Sequence, residues 1–161
     1  MRSVRHPIET IAAGRAREAW VQLLELADEP APLRRYVDDG TLYGVVDDAS
    51  GRPRAAVLTI DQSDDTTELR AVAVAEGEQG TGLGSWLVSE VCDRLRDRGI
   101  RRVVVGTATS GVRQLAFYQR LGFRLERIER DFFTAEKGYP ADLSENGIPT
   151  RDMAWMDLDL A

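Results

Sequence analysis

Cysteine and histidine occur once each, as Cys92 and His6, and their scarcity removes several kinds of chemistry. A single cysteine forms no internal disulfide and no thiolate metal centre, which agrees with a reducing compartment. A single histidine builds no histidine metal site, and both residues are expected to be structural. Long hydrophobic runs are missing too: no stretch approaches the ~20 apolar residues a bilayer crossing needs. The basic start through His6 and Pro7 leads into no apolar segment with a small-residue cleavage site, so the chain reads as cytoplasmic. It also lacks a surplus of positive charge. With 21 Lys and Arg against 27 Asp and Glu, the net charge is -6. That argues against a sequence-independent nucleic-acid binder, which needs a basic face, and mildly favours cationic partners.

What is present fits one ordinary domain. The chain has 161 residues, 43% hydrophobic and 30% charged, close to globular averages and long enough to bury a core. A short strand is predicted over residues 4–6, and apolar spacing predicts an amphipathic helix over residues 9–27. Asp28-Glu29-Pro30 breaks it, and a second short helix is expected over residues 33–37. Runs rich in apolar and β-branched residues at 42–46, 55–60 and 69–75, separated by turn formers, predict an antiparallel meander. Leu83, Leu87, Val91 and Leu95 then recur at helical steps, with arginines and Gly99 closing the helix. Val103-Val104-Val105 suits an interior strand reached by a crossover, residues 112–121 a further helix, and residues 124–133 and 153–160 the last two strands. Tyr139-Pro140 and the turn pair Asn146-Gly147 lie between those strands.

Between the meander and the long helix stands Gln79-Gly80-Thr81-Gly82-Leu83-Gly84-Ser85. A glycine-rich strand-to-helix turn presents backbone N–H groups at the positive end of a helix dipole, which suits phosphate. Three glycines can also make nothing more than a tight turn, so competing phosphate motifs must be compared. A P-loop needs Gly-Lys followed by Ser or Thr, and the chain has no Gly-Lys pair. The dinucleotide fingerprint runs G-x-G-x-x-G at the opening of a βαβ unit, whereas here the spacing is G-x-G-x-G after a meander.

The segment closely resembles the acetyl-CoA signature Q/R-x-x-G-x-G/A of the GNAT N-acetyltransferase family, filled by Gln79, Gly82 and Gly84. Residues 74–78 match the strand end and turn before it, and Tyr118-Gln119-Arg120-Leu121-Gly122-Phe123 looks like the family's Tyr-x-x-x-Gly-Phe segment. The resemblance holds in register over about residues 42–123. It implies a single domain over residues 1–161 of mixed α/β (α+β) class, with a mostly antiparallel, splayed sheet flanked by helices. It also implies an acyltransferase that uses acetyl-CoA as co-substrate, without a metal.

Residue by residue, the resemblance assigns the pantetheine arm and an oxyanion-stabilising N–H to Val72, Ala73 and Val74, and the pyrophosphate to the main chain of Gln79, Gly80, Thr81, Gly82, Leu83, Gly84 and Ser85. Attack requires a neutral amine, so a base or a proton-relaying water is expected. Glu68 stands where many relatives keep the base; the plainer reading is a solvated strand-edge acid, and Asp131 and Glu145 are weaker candidates. Tyr118 matches the tyrosine that assists thiolate departure, against the plainer reading of a packing residue. Many relatives carry an asparagine where this chain has Gly111; Ser110 and Gln114 are the candidates to replace it near the pantetheine.

The acceptor is not encoded in a motif. Aromatics and acids between Arg130 and Asp152 suggest either a wall for a cationic amine or ordinary core. A small-molecule amine is slightly favoured over a protein terminus or lysine, a non-catalytic acyl-CoA-binding module is the reading from another class, and a homodimer is left open.

Overall fold

In the computed structural model, which describes residues 6–161, the meander is built from β2 (Thr41–Val46), β3 (Pro53–Asp61) and β4 (Thr66–Val74), paired antiparallel in sequence order. α3 (Leu83–Asp97) carries the chain back to β5 (Arg102–Ala108), which lies parallel to β4. α4 (Val112–Arg120) leads to β6 (Arg124–Glu129), and β9 (Met153–Asp159) inserts between β5 and β6. With an edge strand β1 (Glu9–Ile11), the described residues form a seven-stranded sheet in the order β1-β2-β3-β4-β5-β9-β6, and among these strands only the β4–β5 pair is parallel.

Strand alternation builds two cores. Val57 of β3 and Val103 and Val105 of β5 pack with Leu87, Val91 and Leu95 of α3 on one face. Ala56 and Leu58 of β3 point the other way, onto Trp20, Leu23 and Leu24 of α1 (Glu18–Leu24) and Leu33 of α2 (Pro30–Tyr36). A sheet covered on both faces explains why its central strands read as nearly continuous apolar runs.

Several boundaries differ from the sequence expectation. The single helix over residues 9–27 is instead β1, a 3-10 turn at Gly14–Arg17 and α1. Ile11 fits either periodicity, but the free edge of β2 takes up the β1 backbone, and Gly14 at φ +81 breaks the right-handed run. α2 begins at Pro30 rather than residue 33, because proline's missing N–H costs nothing in a first turn. β6 stops at Glu129 rather than residue 133, since Asp131 turns the chain with φ +57. The segment that follows adds a 3-10 turn and a small hairpin, β7 (Ser144–Glu145) and β8 (Ile148–Pro149), closed by Asn146-Gly147. Val4 and Arg5 of the strand expected over residues 4–6 lie outside the described residues, and His6 is not in a strand.

Candidate active site

The site begins at a fault in the sheet. β4 pairs with β5 only from Thr66↔Arg102 to Leu69↔Val105. In the β3–β4 ladder, Leu58 faces Ala71 and Thr59 faces Leu69, leaving Arg70 as the extra residue of a β-bulge. A bulge bends its strand and increases local twist, and this one falls where β4 leaves β5. Beyond it, β4 continues to Val74 beside β3 alone. The edge of Val72, Ala73 and Val74 that faces β5 therefore has no strand neighbour among the described residues.

A cavity of about 350 Å³ opens at this fork. Glu68, Arg70 and Val72 come to it from β4, Gly106 and Thr107 from β5, and Gln114 and Tyr118 from α4. The connection between α1 and α2 supplies Glu25, Asp28 and Glu29, and the segment after β6 supplies Phe132, Phe133, Tyr139 and Glu145. Both candidate catalytic residues thus reach one space, with Val72 and Gln114 beside them. Asp131 is exposed and does not line the cavity.

Glu68 is not a solvated strand-edge acid. It is only 6% exposed, accepts from Gln62 Nε2 at 3.1 Å, and pairs with Arg70 Nη1 at 3.4 Å. Burial pushes its carboxyl above the usual glutamate range, and the Arg70 guanidinium partly opposes that rise. The bulge fixes its direction: Glu68 and Ala71 sit opposite Ile60 and Leu58, so both face the α1–α2 side of the sheet.

Tyr118 is 7% exposed, with its ring edge-on to Phe117 and Phe123. Its hydroxyl has no hydrogen-bond partner among the described residues, yet it does not belong to the sealed polar atoms either. Packing therefore fixes the ring while the hydroxyl remains available at the cavity. Burial raises its pKa, keeping the proton in place at neutral pH.

The glycine loop follows a 3-10 turn at Glu76–Glu78. Gln79 Nε2 donates to Val74 O at 3.1 Å and Thr81 Oγ1 to Glu78 O at 2.6 Å, so these side chains brace the loop against the strand end. Gly82 holds φ +87 at the α3 N-cap, where no side chain caps the helix. The first N–H groups of α3, from Leu83, Gly84 and Ser85, have no intrahelical acceptor. Among the described residues, no heavy atom beyond the chain neighbours lies within 4 Å of where a Cβ would stand on Gly80 or Gly82, so the loop borders open space at both positions. Gly84 differs: a Cβ there would meet Val74 Cγ2 at 2.9 Å, so its bareness lets α3 approach β4.

Gln114 Nε2 donates to Glu145 Oε1 at 3.1 Å across the cavity. Ser110, the other candidate at the missing asparagine, is fully buried and bonded to Thr150 Oγ1 at 2.8 Å. It does not line the cavity.

Sequence reasoning missed the polar brace beneath the cavity. Asp28 accepts from Tyr36 Oη at 2.7 Å and from Tyr139 Oη at 3.0 Å, joining the α1–α2 connection to the late segment. Burial, then Asp28 itself, raises both tyrosine pKa values. Arg70 lies 4.4 Å over the Tyr36 ring, linking the brace to Glu68. A charged residue inside an apolar strand was the available signal for Arg70; nothing in the spacing brings Asp28 to Tyr139. Among the described residues, no cluster of three His, Cys, Asp or Glu could hold a metal ion, and no helix is long and apolar enough to cross a membrane.

The model of the acetyltransferase (GNAT) family matches residues 8–123. An uncharacterized N-acetyltransferase of Bacillus subtilis is 39% identical over 139 residues, covering 86% of this chain and 87% of the relative. A GNAT family acetyltransferase from Elizabethkingia anophelis, solved with acetyl-CoA bound, superposes with a TM-score of 0.84 at 29% identity, over 98% of this chain and 99% of that one. A Bacillus subtilis acetyltransferase in complex with CoA gives 0.83 at 31% identity, over 98% and 100%.

Proposed function

This chain belongs to the acetyltransferase (GNAT) family, and from that premise we propose that it transfers the acetyl group of acetyl-CoA to a primary amine of a small cationic molecule by direct attack. The carrying observation is the convergence of Glu68, the Tyr118 hydroxyl and the unpaired edge of β4 on one cavity.

In this reading, the main chain from Gln79 to Ser85 receives the pyrophosphate, chiefly through the N–H groups of Gly80, Gly82, Leu83, Gly84 and Ser85, because those of Gln79 and Thr81 donate to Glu76 O and Glu78 O, and a helix N-terminus suits an anion. The free edge at Val72, Ala73 and Val74 pairs with the pantetheine amides, and Gln114 substitutes beside them for the asparagine that many relatives carry at the position of Gly111. One N–H of that edge faces the thioester oxygen, where negative charge develops as the amine nitrogen attacks. An alkylammonium with a pKa of about 10 must first lose a proton. Glu68 accepts it directly or through a water, and its burial-raised pKa brings it nearer the working range of a general base. As the C–S bond breaks, Tyr118 gives its proton to the departing thiolate, while the attacking nitrogen sheds its remaining extra proton to water, from which Tyr118 is reprotonated.

Two features support a small cationic acceptor. Among the described residues, Glu25, Asp28, Glu29, Glu68 and Glu145 line the cavity against one cation, Arg70, which favours positive ligands. The walls of Phe132, Phe133, Tyr139 and Trp155 enclose about 350 Å³, within the range of small-molecule sites.

Release of free thiol from acetyl-CoA across a panel of small mono- and diamines, beside peptides with a free terminus or lysine, tests this. Turnover of small cationic amines is expected. Turnover of peptides alone would overturn the acceptor class, and binding without thiol release from any amine would leave an acyl-CoA-binding module.

A further inference from the structure

We propose that β6 is a self-complementary edge through which two copies of this chain join into one continuous sheet. β6 ends the strand order, and its outer side has no strand neighbour among the described residues. Five of its six residues are exposed, including Leu125 at 56% and Ile128 at 53%. An exposed edge of this length offers a row of unpaired N–H and C=O groups. The opposite edge, β1, has only three residues.

The sequence of β6 is Arg-Leu-Glu-Arg-Ile-Glu. Laid antiparallel on a second copy about a two-fold axis between Glu126 and Arg127, it places Arg124 opposite the partner's Glu129, Leu125 opposite the partner's Ile128, and Glu126 opposite the partner's Arg127. Every charged pair is of opposite sign and the remaining pairs are apolar, as an isologous interface requires. Residues three apart normally face opposite ways along a strand, but here a register shift lies between Leu125 and Arg127. Leu125 therefore faces Met156 and Ile128 faces Ala154, two residues apart on β9 and so on one face of the sheet. Two-fold pairing gathers both apolar side chains from each copy into one cluster on that face. Within one copy Glu126 pairs with Arg102 at 3.1 Å and Arg127 with Glu129 at 3.8 Å; these pairs are exposed, so a partner's charges would join or replace them at little cost.

β6 also adjoins the acceptor wall. Glu129 accepts from Trp155 Nε1 at 2.9 Å and Arg127 lies 5.1 Å over the Trp155 ring, while Trp155 lines the cavity. A paired β6 edge would steady that wall.

Sedimentation velocity of the full chain over a concentration series, with two double variants, tests the pairing. Leu125→Lys/Ile128→Lys puts like charges opposite each other in the proposed register. Leu125→Lys/Ile128→Glu removes the same apolar groups but sets opposite charges face to face. Both substitutions fall on exposed side chains, so folding should be retained, checked by circular dichroism. The wild type and the Lys/Glu variant should sediment as dimers and the Lys/Lys variant as a monomer. A wild type monomeric throughout would overturn the proposal, leaving the charges and the bulge as guards of the edge. Two dimeric variants would place association on another face, and two monomeric variants would remove the charge register; either result also overturns it.

Discussion

Tyr118 and Glu68 are both buried at the cavity, but their environments make opposite demands on substitution. Tyr118 packs through its ring and leaves its hydroxyl unbonded. Tyr118→Phe should therefore keep the wild-type thermal midpoint, since no protein hydrogen bond is lost. If the hydroxyl protonates the thiolate, kcat should fall about 10²- to 10³-fold with KM for acetyl-CoA nearly unchanged. Steady-state thiol release measures both, and wild-type turnover with a saturating amine would remove Tyr118 from the mechanism. Glu68→Gln should also lower kcat about 10²-fold or more, but with a different signature in stability. Burial raises the Glu68 pKa, so the folded chain keeps a proton where the unfolded chain has released it. The stability from that proton is fully present below the unfolded pKa and is lost as pH rises through the folded one. Glutamine does not titrate and can still meet Arg70 and a flipped Gln62 amide. The variant should melt above wild type at neutral pH, with the gap closing as pH falls below the ordinary glutamate range. Parallel melting curves at all pH values would contradict the raised pKa.

At the scale of elements, one extra residue in β4 opens the sheet and one bare helix end faces the opening. The two glycines that begin α3 contribute differently. Gly84→Ala forces a methyl to 2.9 Å from Val74 Cγ2, and overpacking at the α3–β4 contact should cost about 1–3 kcal/mol, seen in urea denaturation. Gly82 faces open space at φ +87. Gly82→Glu should fold at a cost of about 1–2 kcal/mol for its left-handed backbone. Its carboxylate would enter the region proposed for the pyrophosphate, so the thermal shift on adding acetyl-CoA should disappear. A Gly82→Glu protein stabilised as strongly as wild type would place the ligand elsewhere. The G-x-G-x-G spacing marks these positions without separating them; the distance from Gly84 to Val74 does.

For the whole molecule, binding and stability are linked, because a ligand held only by the folded chain stabilises it by mass action. Acetyl-CoA at about 100 times its Kd should add about 2.7 kcal/mol, read as a raised thermal midpoint. NAD and ATP at equal concentration should do much less, because nothing in the G-x-G-x-G loop or the unpaired β4 edge suits their remaining groups. Equal shifts from all three would indicate a generic anion site at the α3 N-terminus.

The meander, the crossover through α3 and the phosphate-type loop were legible because each rests on short-range physics: β-branched runs between turn formers, helical spacing from Leu83 to Leu95, and glycines at a strand-to-helix turn. The first helix is shorter than its apolar spacing predicts because Ile11 satisfies two periodicities, and the free edge of β2 selects between them. Tertiary structure alone decided that Glu68 is buried, with its pKa raised, rather than solvated, since its direction follows from a bulge defined by two strands in register. It alone brought Asp28 to Tyr139 across a separation of 111 residues and set Arg70 over Tyr36. Local sequence fixes propensity and spacing, whereas a cavity is made by the relative placement of elements distant along the chain, which no single segment encodes.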